Sequence, residues 1–122
     1  MKTGVILVIE DNEVNAEIVV AMLESAHYKV HVAGDAETGI ELCRSIKPDL
    51  VLMDIQLPGM DGLSATRIIK SDKEMQNVPV VAVSAYAMES DVKMALEAGC
   101  SEFISKPFGL RACLDCVAKY VK

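Results

Sequence analysis

The sequence predicts a three-layer α/β domain: one parallel sheet of five strands, covered by helices on both faces. Two observations carry that prediction. Short apolar runs alternate with helical periodicities five times along the chain, and three of the runs are continuously apolar, as strands buried on both faces must be. Size agrees, because 122 residues, 52% of them hydrophobic, suffice to bury one core. The expectation is a single domain over residues 1–122 with no effector domain, since nothing follows Lys122.

The elements follow in chain order. Val5 to Ile9 reads as the first strand. Val14 to Ala26 reads as a helix, because Ile18, Val19, Met22, Leu23 and Ala26 fall on one stripe. Lys29 to Ala33 is the second strand, and Ala36 to Ile46 the second helix, which stops before Pro48 because a residue preceding proline disfavours helical geometry. Leu50 to Met53 makes the third strand, and Leu63 to about Asp72 the third helix. Val80 to Val83 is the fourth strand. Glu89 to Ala98 is the fourth helix, ended by Gly99, the residue best suited to a left-handed cap. Glu102 to Ile104 is a short fifth strand, and LRACLDCVAKYV is the last helix, with Leu110, Leu114, Val117 and Val121 at helical spacing. Repeated strand-helix units require a parallel sheet with right-handed crossovers.

Charge and cysteines exclude several functions. With 18 acidic and 12 basic residues the formal charge is -6, so the attraction that begins nucleic-acid binding is missing. The N-terminal apolar stretch is too short for a signal peptide core or a membrane span, so no membrane insertion and a cytoplasmic location are expected. Cys43, Cys100, Cys113 and Cys116 read as free, packed thiols. Cys113 and Cys116 spell C-x-x-C, but inside a helical pattern with no second pair and no nearby histidine, which argues against redox or zinc chemistry. His27 and His31 lack acidic or thiol partners at ligand spacing and read as surface residues.

The strand ends carry the chemistry. The first apolar run ends in Glu10 and Asp11, the third in Asp54, the fourth in Ser84, and the fifth in Ser105, Lys106 and Pro107. In an open parallel sheet these ends share one edge, where ligands bind at the point where strand order reverses. If the order is 2-1-3-4-5, Glu10, Asp11 and Asp54 come together. Three carboxylates so placed repel by about 4 kcal/mol per pair and need cations. Lys106 supplies one, and an oxygen-only donor set favours Mg²⁺ over zinc. An aspartate, a magnesium ion, a lysine and a hydroxyl together suit phosphoryl transfer to a carboxylate. Separately, each group has a plainer reading: Glu10 and Asp11 as a helix N-terminus, Asp54 as a loop acid, Ser84 as a cap, Lys106 as a solvated charge. Their joint placement at one sheet edge favours the site.

The segments VIEDN (8–12), LMDIQLPGMDG (52–62), VSA (83–85) and SKPF (105–108) resemble, in order and spacing, the receiver domain of two-component response regulators. The resemblance covers the whole chain. MDIQLP, VVAVSAYAM and SKP look most like the stand-alone, DivK-type receivers. The resemblance implies a flavodoxin-like (CheY-like) fold with strand order 2-1-3-4-5. It implies Asp54 as phosphate acceptor, and Glu10, Asp11, Asp54 and the backbone carbonyl of Gln56 as holders of Mg²⁺. Ser84 would hydrogen-bond the phosphoryl group, Lys106 would pair with it through a strand end that continues into a cis Lys106–Pro107 peptide, and Ser84 and Phe103 would form the switch. Two departures are visible. Serine stands at 84 where threonine is frequent, and Phe103 stands where tyrosine is frequent, so its ring has no hydroxyl to partner. Tyr86 and Gln56 would flank the phosphoryl site, and bulk at Tyr86 is expected to slow attack by water.

The implied partners are a sensor histidine kinase or a histidine phosphotransfer protein, and a downstream protein target met by the fourth helix, fifth strand and last helix. Val20 lies off the first helix's core stripe and reads either as a docking contact or as a harmless exposed valine. Two rivals are disfavoured. A haloacid-dehalogenase-type phosphatase needs a second aspartate where Gln56 stands, and a flavodoxin-like cofactor binder needs a glycine-rich phosphate loop after the first strand. The expected role is a signalling switch, not a turnover enzyme.

Overall fold

The computed structural model describes residues 3–85 and 87–121. Five strands and five helices alternate: β1 (Val5–Ile9), α1 (Glu13–Ser25), β2 (Lys29–Ala33), α2 (Ala36–Ile46), β3 (Leu50–Asp54), α3 (Gly62–Ser71), β4 (Val80–Ser84), α4 (Glu89–Ala98), β5 (Glu102–Ser105) and α5 (Leu110–Tyr120). The strands form one parallel sheet in the order β2-β1-β3-β4-β5, so the crevice lies between β1 and β3. Alternation along the central strands divides the core. Leu7, Ile9, Val51 and Met53 pack against α2, α3 and α4, while Ile6, Val8, Leu50 and Leu52 pack against α1 and α5. β3 is buried along its whole length, which explains why its sequence does not alternate.

Local chemistry sets the helix starts. The side chains of Asn12, Asp35 and Asp61 accept the backbone N–H of Asn15, Thr38 and Ser64, each three residues on, and so cap α1, α2 and α3. Gly99 ends α4 at φ 111°, the left-handed conformation expected of it. Asp49 closes the opposite sheet edge by accepting the N–H of Val5 at 2.8 Å. All four cysteines are buried and free, Cys113 and Cys116 among them on the inner face of α5.

Several details depart from the sequence reading. β3, β4 and β5 each run one residue further than the apolar run, to Asp54, Ser84 and Ser105. Backbone pairing of Asp54 with Val83 and of Ser84 with Ser105 continues the ladder whatever the side chain. Ile18 does not belong to the core stripe: it is 50% exposed, and the buried residues of α1 are Ala16 and Leu23. Val20 is half-buried beside Val32 of β2, so it is not the free apolar contact of this helix; Val14 and Ile18 are exposed instead. Both shifts follow from how α1 seats on the sheet: Val20 lies beside Val32 of the edge strand β2, while Ile18 borders a space on the helix's other side that no side chain fills. The reading placed on Tyr86 falls outside the described residues.

Candidate functional site

Register builds the site. Ile9 pairs with Met53 across β1 and β3, so the next residue of each chain, Glu10 and Asp54, stands at the same level of the sheet edge. Glu10 remains tied to the sheet through its own N–H, which donates to Ala33 O at 3.0 Å. Glu10, Asp11 and Asp54 each offer a carboxylate oxygen, all within 4.8 Å of one another. Glu10 and Asp54 are each only 6% exposed, whereas Asp11 faces solvent.

Lys106 answers this charge. It leaves β5 through a cis peptide to Pro107, and its backbone N–H is held by Ser84 O at 2.8 Å. The ammonium donates to Glu10 Oε1 at 2.6 Å and to Asp54 Oδ2 at 3.2 Å. Burial alone would draw its pKa down, but the hydrogen bond to Glu10 and the attraction and hydrogen bond of Asp54 outweigh burial and raise it. The remaining oxygens are met by backbone: Asn12 N–H donates to Glu10 Oε2 at 3.3 Å and Gln56 N–H to Asp54 Oδ1 at 2.8 Å. These contacts exclude the plainer readings of Glu10 and Lys106. Glu10 is a buried ion-pair partner ahead of the Asn12 cap, and Lys106 is not a solvated surface charge.

Three carboxylates and one ammonium leave a net charge of -2, which a divalent cation would neutralise. The donors are oxygens alone, with no histidine or thiol among them, and so suit a hard ion such as Mg²⁺. Glu10, Asp11 and Asp54 are therefore fitted to hold one.

The other predicted residues are distributed around this cluster. Ser84 is the last residue of β4, one step beyond the residue that pairs with Asp54, and is 1% exposed. Gln56 lies exposed in the β3–α3 connection, its N–H fixed by Asp54. Phe103 is not at the cluster: it lies on β5, pairs with Ala82 of β4 and packs, half-buried, against the core cluster that includes Ala95 of α4. Gly62 matters in a way the sequence did not announce. A Cβ there would press into the Asp54 carbonyl and stand 2.6 Å from Ile55 Cα, so only glycine lets α3 start directly behind the acid. Asn12 is a second omission: it caps α1 and braces Glu10 with its N–H. A capping residue just after an acidic pair is the signal that could have located it.

A groove of about 350 Å³ opens from the cluster between α1, the sheet and the β5–α5 connection, bounded by Glu10, Asp54 and Lys106 at one end and by Ile18, Met22 and Phe108 elsewhere. Nothing in the periodicity of α1 predicts it, because an unfilled space is a property of how helices seat and not of any one stretch of sequence.

Comparison with known proteins agrees with this geometry. The profile described as "Response regulator receiver domain" matches residues 6–118. The polar-differentiation response regulator DivK of Brucella anthropi is 34% identical over 116 residues, covering 95% of this chain and 94% of that protein. The DivK of Brucella abortus strain S19 is also 34% identical, over 98% of this chain and 97% of its own length. Among solved structures, the receiver domain of a sensor histidine kinase from Pseudomonas aeruginosa PAO1, with a magnesium ion coordinated in its active site cleft, superposes with a TM-score of 0.90 at 33% identity, covering 98% of both chains. The chemotaxis protein CheY4 of Vibrio cholerae, at 17% identity, shares the fold with a TM-score of 0.92 over 98% of this chain and 99% of that one.

Proposed function

The chain belongs to the response regulator receiver domain family, whose general function in two-component systems is to accept a phosphoryl group on an aspartate, and from that premise we propose that Asp54 is the acceptor here. One observation carries the assignment. Asp54 is the carboxylate that ends the fully buried central strand, touches the Lys106 ammonium and belongs to the acid cluster. A nucleophile held by Gln56 N–H on one oxygen and Lys106 on the other has a fixed orientation before any donor arrives.

Asp54 attacks the phosphorus of a phosphohistidine; the new O–P bond forms as the P–N bond breaks, and the bonding pair leaves with the imidazole. Lys106 then pairs with the phosphoryl oxygens, and Ser84 donates its hydroxyl to them. Glu10, Asp11, Asp54 and the backbone carbonyl of Gln56 would hold Mg²⁺, which would neutralise the charge of the transferring group when bound. Ser84 and Phe103 form the switch. The serine shifts toward the phosphoryl group, and the half-buried ring follows into the space beside β4.

The protein is a signalling switch that catalyses only its own phosphorylation and dephosphorylation, and it works in the cytoplasm. Receiver domains interact with histidine kinases or phosphotransfer proteins. Here Val14 and Ile18, 64% and 50% exposed on the helix beside the acids, offer that partner an apolar foothold. A downstream protein reads the face of α4, β5 and α5. Among the described residues no helix is long and apolar enough to cross a membrane.

The test is incubation with Mg²⁺ and acetyl phosphate, followed by mapping of the modified residue by mass spectrometry. Phosphate on Asp54, absent from Asp54→Asn and from samples treated with EDTA, is the expected result. Modification at another residue, or an unchanged yield in Asp54→Asn, removes the assignment.

A further inference from the structure

The groove beside Asp54 has two chemically distinct ends. Glu10, Asp54 and Lys106 form the polar one; Leu52 of the sheet, Ile18 of α1 and Phe108 line the apolar remainder. Ile18 stands half out of water at its mouth, and Phe108 is only partly buried. Burial of these surfaces is incomplete within the chain itself, so a group placed between them gains by leaving water. The phosphorus must reach Asp54 at the polar end. What such a donor carries beyond the phosphorus therefore meets an apolar wall.

We infer that the groove selects, among small phosphodonors, acyl phosphates whose acyl chain is apolar and longer than acetyl. The inference rests on Asp54 as the acceptor. An Asp54 oxygen attacks phosphorus, the O–P bond to Asp54 forms, and the bond from phosphorus to the acyl oxygen breaks. Its electron pair leaves with the acyl oxygen as a free carboxylate; charge balances without a proton, and nothing is oxidised or reduced. The chain of the leaving carboxylate lies along Ile18 and Phe108, where each methylene fully withdrawn from water is worth about fourfold. Two methylenes in a groove open on one side give about fivefold.

The experiment compares phosphorylation of the protein, with Mg²⁺ present, by acetyl phosphate and by n-butyryl phosphate, read by intact mass. The two carboxylate leaving groups have the same charge and nearly the same basicity, so the ratio of rates reports the chain. Butyryl phosphate should react about five times faster, and Ile18→Asn, a change at a half-exposed site, should bring the ratio close to one. Independently of reaction, butylphosphonate should shift the methyl NMR resonances of Ile18 and Leu52 while methylphosphonate leaves them in place. Equal rates for the two donors, a preference that survives Ile18→Asn, or unmoved methyl resonances overturn the inference while leaving the acceptor assignment intact. Failure of both donors to modify Asp54 overturns both.

Discussion

Replacing Lys106 by methionine keeps the aliphatic stem and removes only the ammonium, which isolates the charge balance of the site. The wild-type ammonium lies 2.6 Å from Glu10 and 3.2 Å from Asp54, and its side chain is 22% exposed. At an effective dielectric near 20, those separations correspond to gross attractions of about 6 and 5 kcal/mol. Most of this is offset by the cost of drying the lysine. What the variant loses is better gauged by leaving two buried carboxylates without their counter-ion, about 3 kcal/mol for a partly exposed partner. For a domain of this size that is a fall in Tm of about 10 °C. The raised pKa of Lys106 sets the sign with pH: the stabilisation is fully present below the unfolded lysine value and fades only as alkaline pH passes the folded one, so neutral buffer reports all of it. Removing the ammonium also changes the site from a net -2 to -3, so Mg²⁺ should recover more stability in Lys106→Met than in the wild type. Thermal melts in EDTA and in saturating MgCl₂ measure both effects. A variant that melts with the wild type in EDTA, or that gains less than the wild type from magnesium, would refute the claim that repulsion among these acids governs the site.

Three other outcomes are expected. Gly62→Ala should lower stability by about 2 kcal/mol in urea denaturation, because the backbone of Asp54 and Ile55 blocks the new methyl and cannot move without displacing the acceptor. Burial pushes the thiols of Cys43, Cys113 and Cys116 up to about 11, so a thiol reagent at mildly alkaline pH should react slowly with the native protein and rapidly in denaturant; fast native labelling of these positions would contradict their packing. Burial first, then the hydrogen bond to Glu102, pushes Tyr120 up to about 12. This bond therefore contributes stability below the unfolded tyrosine value of about 10 and loses it as pH rises toward the folded value. A tyrosinate absorbance titration should show a late-ionising component that Tyr120→Phe removes.

The division between what was legible in sequence and what was not follows the range of the forces involved. Short apolar runs against a 3.6-residue periodicity, a glycine after Ala98 and a proline after Lys47 act within a few residues, and they located the ten elements of the described residues to within a residue or so. The acids and the lysine at the strand ends were equally legible, because a charge closing an apolar run is costly wherever the fold places it. Helix seating is another matter. The stripe on α1 assigned Ile18 to the core and left Val20 outside, yet the structure exposes the first and half-buries the second.

The chain by itself determined that a parallel sheet forms and that its polar residues gather at one edge, since alternating apolar runs leave no other burial. Only the tertiary structure decided that Lys106, 96 residues from Glu10, would reach both that acid and Asp54, and that α1 would stop short of closing the space beside them. Distances of that kind come from how layers pack, and packing sums small contacts over many residues distant in sequence, so no local pattern encodes it.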